Sequence, residues 1–119
     1  MTIEVEYQKA LLKALPLTIK SVAFFGRVTG KYELRKGGWV HPSIPGQCDV
    51  YGIRKRDARH YELELKNVHT RTSPEQEAWA AWCAENGVPY LLLRVNKGEL
   101  DAACISRWVA EIARWVSRP

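Results

Sequence analysis

The chain has no run of apolar residues approaching the roughly 18 that a membrane-spanning helix requires. It also has no Cys-x-x-Cys pair, no internal repeat and no low-complexity tract. The first absence argues against a helical membrane protein. With 46% apolar and 26% charged residues, the composition is that of a folded globular chain rather than a disordered one. Three cysteines, Cys48, Cys83 and Cys104, are odd in number and widely spaced. They favour neither a disulfide framework nor a structural zinc site and read as reduced thiols in or near the core. No basic stretch followed by an apolar one opens the chain; Glu4 and Glu6 stand there instead, so no secretory signal and a cytoplasmic location are expected. A length of 119 residues is that of one ordinary domain, so 1–119 is expected to fold as a single unit with one core and no accessory domain.

What the chain has in excess is positive charge in its first half. Residues 1–60 hold 11 Lys/Arg against 5 Asp/Glu, whereas residues 61–119 hold 7 against 8. The densest cluster is Arg54, Lys55, Arg56 and Arg59, with Lys31, Arg35 and Lys36 as a second group. Such a cluster either attracts phosphate backbones or is a solvated turn, and charge alone does not decide between them.

Periodicity predicts the elements. Ile3, Tyr7, Ala10, Leu11, Ala14 and Leu15 fall on one face of a helix over 3–15 that Pro16 is expected to end. That projection places Glu4 inside the apolar arc, where it is either in a frayed first turn or aimed at a site. Strands are expected at 22–27 and 31–35, then a loop over 37–46, long enough to suggest a functional role. A β-hairpin is predicted from 47–53 and 61–67 around the basic turn. Ser73, Pro74, Gln76 and the following Gly87 mark a helix over 73–86. An apolar, buried strand is expected at 88–95. A last helix over 99–116 carries a core stripe of Leu100, Cys104, Trp108, Ile112 and Trp115. The fold class is α/β: a mixed sheet flanked by helices, in the order αβββαβ with a C-terminal helix.

The hairpin carries the chemistry. Strict alternation puts Glu62, Glu64 and Lys66 on one face and Tyr61, Leu63 and Leu65 on the other. A register joining Ile53 to His60 sets Asp49 opposite Glu64, and facing carboxylates repel unless a divalent cation lies between them. Two hard oxygen ligands suit Mg²⁺ or Mn²⁺ rather than zinc. An acidic-x-Lys triplet alone arises about once by chance in such a chain. It gains weight from the preceding carboxylate, the basic turn and the capped helix that follows.

The stretch PGQCDVYG, followed by YELELKNVHTRTSPEQEAWAAWCAENGVPYLLLRV, resembles the core of the VRR-NUC domain, a branch of the PD-(D/E)xK nucleases. The shared pattern is Gly-x-x-Asp, an apolar strand ending in Glu-x-Lys, a Ser-Pro-x-Gln helix start, a Gly and a final apolar strand. The likeness is close over about 46–95, and Glu4 extends it loosely toward the N-terminus. It implies a restriction-endonuclease-like core and metal-dependent phosphodiester hydrolysis. Asp49, Glu64 and the Leu65 carbonyl would hold Mg²⁺ or Mn²⁺, and Lys66 would be the catalytic lysine. Gln76 matches the helix glutamine, although Gln three residues after a Ser N-cap is also a capping box. Glu4 matches the acidic residue of the first helix. Cys48 stands where the family has proline, a position that shapes backbone. Glu62 is not required by the motif and is expected behind the site or facing solvent. Free-standing members resemble Holliday-junction resolvases and imply branched DNA as partner and a homodimer; the charge pattern makes Arg54, Lys55, Arg56, Arg59 and Lys36 the candidate phosphate contacts. A metal-free nucleic-acid-binding or assembly module on the same scaffold is the alternative.

Overall fold

The computed structural model describes residues 2–27, 32–33, 35–40 and 44–119. In chain order the elements are α1 (Ile3–Thr18), β1 (Val22–Gly26), β2 (Tyr32–Glu33), β3 (Trp39–Val40), β4 (Val50–Arg54), β5 (His60–Asn67), α2 (Pro74–Glu85), β6 (Tyr90–Val95) and α3 (Ala102–Ser117). Four strands form one mixed sheet in the order β1-β4-β5-β6, with β5 and β6 parallel and the other neighbours antiparallel. The chain is therefore α/β, a four-stranded mixed sheet flanked by helices. Among the described residues, no helix is long and apolar enough to cross a membrane.

Alternation along β5 sorts the layers. Tyr61, Leu63 and Leu65 join a buried cluster with Tyr7, Leu11 and Leu15 of α1 and Cys104, Val109, Ile112 and Val116 of α3. Glu62, Glu64 and Lys66 turn to the opposite face, where Gln76 and Trp79 of α2 meet them. The sheet thus separates an apolar layer from a polar one, and the three cysteines are buried thiols.

Several boundaries differ from the sequence-based expectation. α1 runs through Pro16 to Thr18. A proline there forfeits only one intrahelical bond, while Leu15 and Ile19 stay buried and the Ile19 N–H donates to the Leu15 carbonyl at 2.8 Å. α3 starts after Asp101, whose side chain accepts from the Cys104 N–H at 2.7 Å, so Leu100 lies outside the helix and is exposed. β6 is an edge strand, so only Leu93 and Val95 are buried while Tyr90, Leu91 and Leu92 are half-covered. Within the expected loop over 37–46, Trp39–Val40 pairs with Tyr32–Glu33 in a separate two-stranded sheet. Gly37 and Gly38, at φ of 88° and 86°, supply the reversal between them. Positions 28–31, 34 and 41–43, which include parts of the expected turn, second strand and loop, lie outside the described residues.

The basic turn has a structural duty that its composition conceals. Arg54 is buried, pairs with Asp57 through two hydrogen bonds of 2.9 and 2.6 Å, and donates to the carbonyls of Val116 and Arg118. The last carbonyls of a helix lack intrahelical partners, and this guanidinium takes up one of them. Arg59 donates to the Pro119 carbonyl at 2.7 Å. Arg54 is therefore corrected from a phosphate contact to a clamp on the end of α3, because its donors are already spent inside the protein. Lys55 and Arg56 remain exposed, as does Lys36. Arg54→Ala should lower the thermal midpoint by several degrees, and Lys55→Ala should leave it unchanged; equal midpoints for the two variants would refute the clamp.

Candidate active site

The predicted register holds. Ile53 pairs with His60 and Val50 with Leu63, so one further step along the same ladder sets Asp49 beside Glu64. On the other side, the Arg27 N–H donates to the Asp49 carbonyl at 2.6 Å, which carries the β1–β4 pairing to the same level. One sheet face therefore presents Phe25 from β1 with Arg27 just past its end, Asp49 and Tyr51 from the β4 segment, and His60, Glu62, Glu64 and Lys66 from β5. Odd-numbered residues of β5 direct their backbone groups toward β4, as the 2.8 Å bond from the Arg54 N–H to the Arg59 carbonyl shows. The Leu65 carbonyl accordingly faces the β4 side, just past the last paired residues.

Glu62 does not face solvent: it is fully buried. Arg27 donates to both of its oxygens at 2.8 and 3.1 Å, the Trp79 indole N–H donates at 2.9 Å, and His60 Nε2 lies 2.9 Å away. A buried carboxylate held this way is fully satisfied, and β1, β5 and α2 all contribute to it. Its burial follows from α2 lying over this part of the sheet.

Glu64, two residues on, is held differently. It is only 3% exposed, and its Oε2 has no hydrogen-bond partner among the described residues. Oε1 accepts from Gln76 Nε2 at 3.4 Å. Burial, and then the negative charge of Asp49, push its pKa up to about 7. The Cys48 thiol and Lys66 oppose this rise without cancelling it. The positive charge of Lys66 is thus too little to hold the carboxyl fully ionised at neutral pH.

Gln76 closes the expected capping box and also touches two residues of the β5 face. With Ser73 it closes a capping box, its Oε1 accepting from the Ser73 N–H at 2.8 Å while its own N–H donates to Ser73 Oγ at 3.1 Å. The same Oε1 accepts from Lys66 Nζ at 3.2 Å. Lys66, half-buried, is thereby held at the mouth of the site. Gly46 lets this helix start come close: at φ of 90°, a side chain there would collide with the Glu75 carbonyl. Glu4 does not reach this network through any hydrogen bond given by the structure. Its Oε1 accepts from the Asn67 N–H at 3.1 Å, fixing the backbone one residue beyond Lys66, so it is not in a frayed turn.

Among the described residues, no group of three or more His, Cys, Asp or Glu side chains is arranged to hold a metal. The oxygen donors that the register brings to this level of the sheet are two carboxylates and one carbonyl, a set that suits a hard cation retaining several waters. The orphaned Oε2 of Glu64 fits such an ion. Sequence reasoning missed Arg27 and Trp79. Trp79 was within reach of it, since Gln76, Trp79 and Cys83 share one helix face at i, i+3 and i+7. Arg27 was not, because nothing local links it to a residue 35 positions away. No family model, curated protein or solved structure matches the chain.

The buried carboxylates make stability depend on pH and on pairing. The folded protein keeps the Glu64 proton up to about pH 7, whereas the unfolded chain releases it near the ordinary value of about 4.3. The favourable contribution of Glu64 is therefore complete below the unfolded value and is lost as pH rises through 7. Glu64→Gln should raise stability in chelator by about 2 kcal/mol at pH 8 and by little at pH 4. Denaturant melts giving the same difference at both pH values would contradict the electrostatic origin. Removing one partner of the buried pair by Arg27→Ala should cost about 3 kcal/mol, and the double change Arg27→Met with Glu62→Leu should cost less than either half alone. Additive losses would show that the two residues do not act as a pair.

Proposed function

We propose that this chain is a metal-dependent endonuclease hydrolysing DNA phosphodiesters, in keeping with its resemblance to the VRR-NUC branch of the PD-(D/E)xK nucleases and a restriction-endonuclease-like core. The observation that carries the reading is the buried, unpartnered Oε2 of Glu64 beside Asp49. A folded protein tolerates such repulsion where a ligand relieves it. Asp49, Glu64 and the Leu65 carbonyl would hold Mg²⁺ or Mn²⁺. Once bound, the cation supplies charge to polarise the scissile phosphate and to make a water more acidic.

The remaining steps belong to the side chains. Lys66, fixed by the Gln76 carbonyl oxygen, positions its ammonium against the phosphate oxygens or the attacking water. Gln76, tied to the first turn of α2, keeps Lys66 and Glu64 at a set separation through its two amide atoms. Arg27 and Trp79 hold Glu62, and so hold the strand that carries Glu64. Exposed Lys55, Arg56 and Lys36, with half-buried Arg59, offer phosphate contacts without base-edge readout, which suits recognition of shape on branched DNA. The protein is taken to act in the cytoplasm as a homodimer, the arrangement that fits a four-way junction.

Incubation with linear, flapped and four-way DNA in Mg²⁺, Mn²⁺ or EDTA tests the reading. Cleavage should require the metal and should disappear in Asp49→Asn and Glu64→Gln. Lys66→Ala should bind branched DNA within a few-fold of the parent yet cut it far more slowly. Parallel loss of binding and cutting would make Lys66 a phosphate anchor instead. Metal-independent binding with no cutting by the unaltered chain would leave the non-catalytic module as the function. Replacing Lys55 and Arg56 with Ala should flatten the slope of log K against log salt by roughly 0.9 for each phosphate no longer neutralised.

A further inference from the structure

α2 covers only part of the face that bears the carboxylates: among the described residues, it makes its strand contacts with β6 and its hydrogen bonds with β5, at Glu62 and Glu64 among others, leaving the β1–β4 half beside it. There Phe25, Tyr51 and His60 form a continuous row of rings. Phe25 and Tyr51 stack at 5.2 Å between centroids and 25° between planes, and Tyr51 and His60 at 5.6 Å and 11°. The Arg27 guanidinium lies 4.8 Å from the Tyr51 ring centre. His60 is fixed by Glu62, so one end of the row is tied to the buried network. The other end is open: Phe25 sits on an edge strand and is 45% exposed.

We infer that Phe25, backed by Tyr51 and His60, stacks an unpaired base of the nucleic-acid substrate next to the phosphate that lies at Asp49 and Glu64. This deepens the nuclease reading and rests on it.

Three features single out that occupant. A ring with one open face, stiffened from behind by two more rings, matches the π-face that every base offers irrespective of sequence. The exposed charged groups at the end of the same hairpin, Lys55 and Arg56, are cationic, which matches a phosphate backbone running alongside. Tyr51 and Asp49 are two residues apart on one strand face, about 7 Å, so a nucleotide stacked on the row has its neighbouring phosphate within reach of the carboxylates. Duplex interior bases are already stacked on one another and cannot use such a ring. The substrate class is therefore DNA with at least one unpaired nucleotide at the cleavage point, such as a flap or an open branch.

The probe is 2-aminopurine, whose fluorescence falls on stacking, placed at the first unpaired position of a flapped duplex in EDTA. The parent chain should quench it, Phe25→Ala should abolish the quench and weaken flap binding about tenfold, and Phe25→Trp should retain both. Binding of a fully paired duplex should be equal in all three. Undiminished quenching and affinity in Phe25→Ala, with metal-dependent cleavage intact, would overturn the platform while leaving the nuclease reading in place. Loss of the quench in Trp82→Ala but not in Phe25→Ala would move the base to α2 and overturn it as well. Failure of the parent to bind or cut any DNA would remove the function and the platform together.

Discussion

The Arg27–Glu62 pair is the contact on which the polar side of the sheet depends. A carboxylate with no exposure would cost several kcal/mol if left unpaired. Three elements each bring it a partner: Arg27 from the end of β1, Trp79 from α2 and His60 from β5 itself. Satisfying Glu62 therefore fixes β1 against β5 across the intervening strand and fixes the position of α2 over the sheet. It also uses the strong donors nearby. Glu64, on the same strand and the same face, gets a long amide contact, and the help of the Cys48 thiol and Lys66 does not offset burial and the repulsion of Asp49. Two glutamates separated by a single residue thus differ in kind: one has every oxygen satisfied, the other is buried with one oxygen that accepts no hydrogen bond among the described residues.

α2 translates local helix chemistry into site geometry. Ser73 and Gln76 would make a capping box in any helix. Here the Gln76 side chain, immobilised by that box, extends its two amide atoms to Lys66 and Glu64. The helix start cannot shift without disturbing both. Gly46 reinforces this restraint, since its left-handed backbone and missing side chain let the preceding loop lie directly against the first turn. The cap and the contacts to Lys66 and Glu64 therefore share one amide group, and neither interpretation of Gln76 displaces the other.

The parts of this arrangement that were legible in the sequence are those encoded locally. Alternation in Tyr61 to Lys66 marks the two faces of β5, and the short span between Ile53 and His60 leaves little choice of register. Those two features suffice to bring Asp49 to Glu64. The start of α2 is equally readable, because its caps lie within four residues of one another. What was not legible depends on distant partners. The role of Arg27 needs the β1–β4 register, and the burial of Arg54 needs α3 to end beside the hairpin turn, 62 residues away. Pro16 misleads for the same reason, since the tertiary burial of Leu15 and Ile19 outweighs one lost helical bond.

Charge in a sequence is consequently a poor map of charge on a surface. Arg54 contributes to the basic cluster by count, yet Asp57 and two carbonyls absorb it, and Arg59 is partly engaged by the chain end. The positive surface left at that turn is chiefly Lys55 and Arg56, at the opposite end of the hairpin from Asp49 and Glu64. On the nuclease reading, backbone attraction and chemistry then occupy two ends of one sheet face. Something between them has to set the register of the strand being cut. The row of Phe25, Tyr51 and His60 spans that interval, and its inner end is anchored to Glu62. The buried carboxylate that organises the site would therefore also hold the surface that delivers the phosphate to it.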